Sequence, residues 1–263
     1  MTFLRVFLAS CLFFASTAFA TDKTDIYWNP NESGWGLTIA NQGDTIFATV
    51  YVYAPDHSPT WFTGTSSSVT TDSQGVNTYS GDWYRVVGPS YNETWNPALV
   101  GPTKVGTFTY KELTVTTGQL VYSVNGKTIT KNVERTTLAN NPKVIGSWSG
   151  AYLSTVTNCS NPAQNGNASS FINAAVSGTP AAMQLSVLFT SNVVCTLSGP
   201  YKQFGRMGQI TGTWSCSNGN SAAGNVFEIE AGTNALSARF EFTYNNIGCR
   251  EAGYLGTARL PAS

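Results

Sequence analysis

Short turn signals recur along this chain at hairpin spacing, and that punctuation restricts the fold more than any other feature. They include Asn41-Gln42-Gly43-Asp44, Pro55-Asp56-His57-Ser58-Pro59, Asp72-Ser73-Gln74-Gly75 and Asn125-Gly126. Between them lie runs rich in β-branched and aromatic residues at 45–53, 60–65, 78–85, 105–110, 120–124 and 127–135. Strand-like runs joined by tight turns form an antiparallel meander, since a short turn returns the chain beside the strand it has just left. An open meander leaves two unpaired edges, and closing it into a barrel removes them. Composition points the same way. Thr, Val, Tyr and Phe are plentiful, only 11% of residues are charged, and no long window carries a 3.6-residue period. The expected class is all-β.

The segment 136–144, with Asn140-Asn141-Pro142, reads as a break between two units. We place a first barrel at 21–138, a linker at 139–144 and a second barrel at 145–263. The second meander opens at Gly146-Ser147-Trp148-Ser149-Gly150. Two tandem small antiparallel up-and-down barrels of calycin-like form are therefore expected. Cys11 lies near the start of the chain, and the other four cysteines, Cys159, Cys195, Cys216 and Cys249, all fall in the second unit. An even number suggests two disulfides, with three connectivities. A hairpin turning at 203–208 sets Cys195 opposite Cys216, close enough to bridge. Cys159 follows the first strand of this unit and Cys249 precedes the last, so they meet if the barrel closes. No C-x-x-C pair is present, which argues against zinc or thioredoxin-like chemistry.

Residues 1–20 read as a secretory signal. One positive charge at Arg5 precedes an apolar run at 6–14, and Ser16-Thr17-Ala18-Phe19-Ala20 supplies the small residues of a cleavage site. Leu8-Ala9-Ser10-Cys11 resembles a lipoprotein box, but the apolar run before it is too short. Cleavage after Ala20 would deliver the chain to the periplasm or the exterior. No second apolar segment follows, so no membrane span is expected. Fourteen basic and fourteen acidic side chains cancel, leaving no field to attract nucleic acid or an anionic membrane.

The run Tyr27-Trp28-Asn29-Pro30-Asn31-Glu32-Ser33-Gly34-Trp35-Gly36, followed by 42–48, resembles a recurrent domain of secreted proteobacterial proteins. The resemblance continues through Pro59-Thr60-Trp61-Phe62, 84–89 and 122–126, ends at 131–135, and covers roughly 25–138. That family has no agreed activity; membership implies secretion and β structure. The Gly146-Ser147-Trp148 opening of the second unit is faintly similar to avidin-like and lipocalin-like barrels.

Catalytic constellations are scarce. His57 is the sole histidine and sits in a Pro-flanked turn. Gly88-Pro89-Ser90-Tyr91 lacks the second glycine of a nucleophile elbow, and neither calcium loops nor phosphate-cradling glycine loops are present. No cofactor or metal is expected. Glu32, Asp82 and Glu93 lie among aromatics and could form a glycosidase pair. A two-residue turn at Asn125-Gly126 fixes a register in which Lys131 and Arg135 share the inward face with Leu120, Tyr122 and Val133. Thr128, Thr130, Asn132 and Glu134 form the solvated face. A lone buried cation is costly, so each needs a partner, and Glu32 is the leading candidate. The three charges either plug one barrel end or flank a site for a polar or anionic ligand.

Five of the seven tryptophans, Trp28, Trp35, Trp61, Trp83 and Trp95, fall in the first unit. Trp95 lies with Tyr91 and Glu93 in the proline-rich stretch 88–103, which reads as a lid or binding loop. In the run 45–53, Phe47, Tyr51 and Tyr53 make one face aromatic while Ala48, Val50 and Val52 make the other apolar. Such a strand is expected to be covered outside by the other barrel or a partner chain.

The candidate ligand-binding residues are Glu32, Trp35, Trp61, Trp83, Tyr91, Trp95, Lys131 and Arg135, at an aromatic-rich mouth of the first barrel. The expected function is non-enzymatic binding of a glycan, a small polar or anionic molecule, or a protein. The alternatives are a carboxylate-dependent extracellular hydrolase and a structural or protein-interaction component of the envelope, the latter with a homo-oligomer.

Overall fold

The structure, a computed structural model, describes residues 22–139 and 143–261. The signal-like residues and Asn140-Asn141-Pro142 lie outside them. Two closed eight-stranded antiparallel barrels follow one another, as the turn spacing and the edge argument predict.

The first barrel comprises β1 (Asp25–Trp28), β2 (Gly36–Gln42), β3 (Thr45–Tyr53), β4 (Pro59–Thr71), β5 (Asn77–Val87), β6 (Gly101–Glu112), β7 (Thr117–Val124) and β8 (Lys127–Arg135). Each strand pairs with its neighbour, and β1 closes on β8 with Tyr27 opposite Arg135. The runs at 45–53 and 127–135 coincide with β3 and β8. The others are longer than their sequence signals because pairing, once begun, carries Ser and Gly into the ladder. Alternation decides what is buried: Ile46, Ala48 and Val50 of β3 point inward beside Leu37, Ile39 and Trp83. The barrel axis is therefore filled. Gly64 and Gly81 permit this, since a Cβ on Gly81 would lie 2.8 Å from the Phe108 ring that packs, tilted, against Trp83.

The second barrel comprises β9 (Gly146–Thr157), β10 (Gly166–Thr179), β11 (Ala182–Phe189), β12 (Val194–Gly199), β13 (Tyr201–Phe204), β14 (Met207–Cys216), β15 (Ser221–Ala231), β16 (Ala235–Tyr244) and β17 (Cys249–Arg259). Pro200, which has no N–H to donate, separates β12 from β13. Both pieces pair with β14, so together they form one wall and the barrel closes with eight. Cys195 faces Cys216 across β12 and β14 and is bonded to it, and Cys159 is bonded to Cys249. The register argument from the 203–208 turn thus gave both pairs. The two bridges sit at the end remote from the first barrel.

Both barrels are closed at the base by the same device. In the first, Tyr27 donates to the Lys23 carbonyl at 2.8 Å, four residues back, and the Arg135 guanidinium lies 5.4 Å from its ring. In the second, Trp148 donates to the Val144 carbonyl at 2.9 Å, again four residues back, and the Arg259 guanidinium lies 4.0 Å from its ring. Each arginine then donates to three carbonyls. Nε, Nη1 and Nη2 of Arg135 reach Val115, Thr24 and Asp22; those of Arg259 reach Thr233, Ile145 and Lys143. Even the flanking amides correspond, with Arg135 N bonded to Thr116 O and Arg259 N to Asn234 O. The chain is a structural repeat that its sequence does not display.

The barrels meet base to base through the β13–β14 turn. Arg206 donates from Nε to Thr24 O at 2.8 Å, pairs with Asp22 at 2.6 Å and with Glu230 at 3.0 Å, and its amide reaches Asp25. Thr137 accepts from Gly205 N and donates to Gln203 O. Val144 packs in the core of the second barrel.

Candidate functional site

The rim of the first barrel, opposite the junction, is built from the β1–β2 loop, the β3–β4 turn, the β5–β6 loop and the β7–β8 turn. Asn125-Gly126 adopts left-handed φ of 50° and 75°, as a two-residue hairpin turn requires, and sets Leu120 opposite Lys131. Lys131 consequently leans toward the β1–β2 loop. There Glu32 Oε2 accepts from Trp35 Nε1 at 3.0 Å and from Lys131 Nζ, which also sits 5.3 Å from the Trp35 ring. The expected Glu32–Lys131 pair is present, and Trp35 completes it. The Lys131 ammonium holds the Glu32 carboxyl below its ordinary range, outweighing slight desolvation and aided by Trp35. A depressed carboxylate contributes stability above its unfolded pKa and loses it as pH falls through the folded value. The Glu32 midpoint, read by NMR titration, is therefore expected below 4.5, rising in Lys131→Ala. An unchanged midpoint in that variant would show that the contact is absent in solution.

Three expected site residues lie elsewhere. Arg135 is at the base, not the mouth. Its carboxylate partner is Asp25, at 2.9 Å, because β8 runs from rim to base and its last residue reaches the first of β1 rather than the β1–β2 loop. Trp83 is fully buried in the core against Phe108 and lines no mouth. Trp61 points outward from β4, because its neighbour Phe62 takes the inward position.

Tyr91 and Trp95 occupy a projecting arm. The β4–β5 ladder ends at Thr63–Tyr84 and the β6–β7 ladder at Gly106–Val124, yet β5 and β6 continue pairing to Val87–Gly101. The last turn of this hairpin thus stands clear of the barrel. Its loop is held by Glu93 accepting from Ser90 N at 3.3 Å, and by Asn96 capping the short 3-10 turn Pro97–Leu99. Tyr91 is wholly exposed, Trp95 is 69% exposed, and Leu99 is exposed beside them.

The three candidate catalytic carboxylates are each engaged: Glu32 with Lys131, Asp82 with Lys104 at 2.8 Å, and Glu93 with the Ser90 amide. His57 takes a left-handed φ of 65° in its turn and is exposed. Among the described residues no group of three or more His, Cys, Asp or Glu is placed to hold a metal ion, and no helix is long and apolar enough to cross a membrane.

A cleft of about 190 Å³ lies at the barrel junction, lined by Asp22, Glu228, Glu230, Arg239 and Tyr254. Glu228 adopts a left-handed φ of 50° at the β15 bulge and pairs with Arg239, whose guanidinium sits between Phe227 and Tyr254. These groups satisfy one another and read as architecture. A smaller cavity, about 10 Å³ and lined by apolar side chains, is a packing gap inside the second barrel.

One feature was only half legible in the sequence. Tyr51 of β3 faces Trp61 of β4 on the outer wall, with Phe47 and Tyr53 along the same strand. The two-sided apolar character of 45–53 signalled it. Joining it to Trp61 required the β3–β4 register, which the five-residue turn did not fix. The second barrel does not cover this wall, since the barrels touch at the base.

The fold defines the molecule as a tandem pair of closed eight-stranded barrels. No family model matches the chain, and no curated protein matches it in sequence. Among solved structures it is similar to a protein of unknown function from the DUF3598 family of Nostoc punctiforme PCC 73102, at 9% identity and a TM-score of 0.29, over 91% of this chain and 94% of that one.

Proposed function

We propose that the protein is exported and acts outside the cytoplasm as a non-catalytic binding protein, its ligand engaged at the rim side of the first barrel. The observation that carries this reading is the exposure of Tyr91 and Trp95 on an arm standing clear of the barrel, at the end that also bears Trp35, Glu32 and Lys131. Large rings left in water are a standing cost unless they meet a partner. Two disulfides suit an oxidising compartment, in keeping with the signal-like residues 1–20 and the resemblance of 25–138 to an extracellular domain. The filled axis of the first barrel directs the ligand to its surface. The second barrel serves as a rigid companion through Arg206.

Isothermal titration against soluble glycans, peptides and small anions tests the proposal, with Trp95→Ala as the control. Binding by one class, weakened severalfold in the variant, is the expected result. Silence from all three classes would remove the reading.

A further inference from the structure

The exposed apolar wall of β2, β3 and β4 goes beyond the rim. We propose that this wall is a docking platform for a neutral polysaccharide chain, with Tyr51 and Trp61 as its principal stacking surfaces. The proposal rests on the reading of an exported binding protein and names its ligand class.

Register fixes the layout. Tyr51 stands between Gly36 on β2 and Trp61 on β4; Thr49 stands between Thr38 and Thr63; Phe47 stands between Ala40 and Thr65. Directly opposed residues on neighbouring strands point to the same face, so these side chains form one surface. Gly36 has no side chain, which leaves one flank of the Tyr51 ring uncovered. Phe47, Tyr51, Tyr53 and Trp61 are each 49–57% exposed. Phe47 to Tyr53 is six residues along an extended strand, a row of rings roughly 20 Å long. Between the rings lie hydroxyls, with Thr49 Oγ1 and Thr63 Oγ1 3.1 Å apart.

Charge selects the partner. The strand sequences GLTIANQ, TIFATVYVY and PTWFTGTSSSVTT contain no Asp, Glu, Lys, Arg or His. An anionic polymer would find no cation there, and a charged protein surface no counter-charge. Pyranose rings offer C–H faces to aromatic π-faces and hydroxyls at their edges. A wall of rings alternating with threonines matches both.

The repeat supplies an internal control. The corresponding strands of the second barrel, β11 and β12, present Ala182, Gln184, Ser186 and Leu188, and Val194, Thr196 and Ser198, outward. Phe171 of β10, the counterpart of β2, is an exposed ring, but β11 and β12 carry none outward, so the facing rings of β3 and β4 are not a requirement of the architecture.

Titration of the full chain with soluble mixed-linkage β-glucan, arabinoxylan and galactomannan, with polygalacturonate as the anionic comparator, tests the platform. At least one neutral polymer is expected to bind and polygalacturonate is not. Tyr51→Ala and Trp61→Ala, both outward-facing and therefore compatible with an unchanged circular dichroism spectrum, are each expected to lower affinity at least tenfold. Binding that survives both substitutions but falls in Trp95→Ala would overturn the platform and leave the rim reading standing. Loss in Trp61→Ala with no change in Trp95→Ala supports the platform and removes the arm from the site. Failure of every neutral polymer, or light scattering that shows a dimer dispersed by Trp61→Ala, would overturn the platform, the latter in favour of a second copy of the chain.

Discussion

Arg135→Ala is expected to unfold the first barrel, and Arg259→Ala to weaken the second by a smaller amount. Arg135 is 3% exposed and joins four otherwise separate groups: the carbonyls of Asp22, Thr24 and Val115, and the Asp25 carboxylate. Removing it leaves Asp25 beside an uncompensated buried position, a change that costs about 3–5 kcal/mol. It also strands acceptors that lie too deep for full hydration, at about 1–3 kcal/mol each. A domain of this size has about 5–15 kcal/mol in total, so the sum is comparable with the whole. The loss extends to the junction, since Asp25 also accepts from the Arg206 amide. Among the described residues Arg259 binds the equivalent carbonyls with no carboxylate beside them, and it is partly exposed, which leaves more of its burden to water. Arg135→Lys should recover only a fraction, because an ammonium cannot reach three carbonyls in the planar fork of a guanidinium. Calorimetry on the two alanine variants and the lysine variant checks the order. A first-barrel transition shifted by less than about 1 kcal/mol in Arg135→Ala would sink this account.

The parts of this fold legible in the sequence are those set by local chemistry. Asn125-Gly126 dictates a two-residue turn, and from it follow the β7–β8 register and the inward direction of Lys131 and Arg135. The 203–208 turn does the same for Cys195 and Cys216. Where a turn was longer, register was open, and with it every statement about which side chains meet. The seven-residue β1–β2 connection hid the choice between Glu32 and Asp25 as the partner of Arg135, and strand direction decided it. Trp83 and Trp61 show a second limit. Both are tryptophans in β-rich runs of the same barrel, and only the parity of each along its strand, Trp83 in step with the inward Tyr79 and Gly81 and Trp61 out of step with the inward Phe62 and Gly64, sends one inward and the other out. The repeat escaped notice for a related reason. Tyr27 and Trp148 play one role with different rings, and the arginines that answer them sit more than a hundred residues further on, so the equivalence exists in hydrogen bonds rather than in letters.

Loss of the Cys159–Cys249 bridge is expected to be the most damaging covalent change, and it should fall on one barrel alone. The bond closes a loop of 90 residues that contains most of the second barrel. Restricting an unfolded loop of that length is worth about 4.6 kcal/mol on the chain-entropy estimate, against about 3.3 kcal/mol for the 21-residue separation of Cys195 and Cys216. Both bridges lie at the end remote from the junction, where the closing Arg259 cannot help. The first barrel has no cysteine among its strands and is held instead by buried pairs such as Lys23–Glu112, at 2.7 Å, which a thiol reagent does not touch. Reduction should therefore separate the two melting transitions, lowering that of the second barrel and leaving that of the first in place. Cys159→Ser with Cys249→Ser should shift the second transition more than Cys195→Ser with Cys216→Ser. A reductant that moved both barrels equally would mean that Arg206 and its carboxylates couple them into one cooperative unit, and the division of labour between thiol and ion pair would then fail.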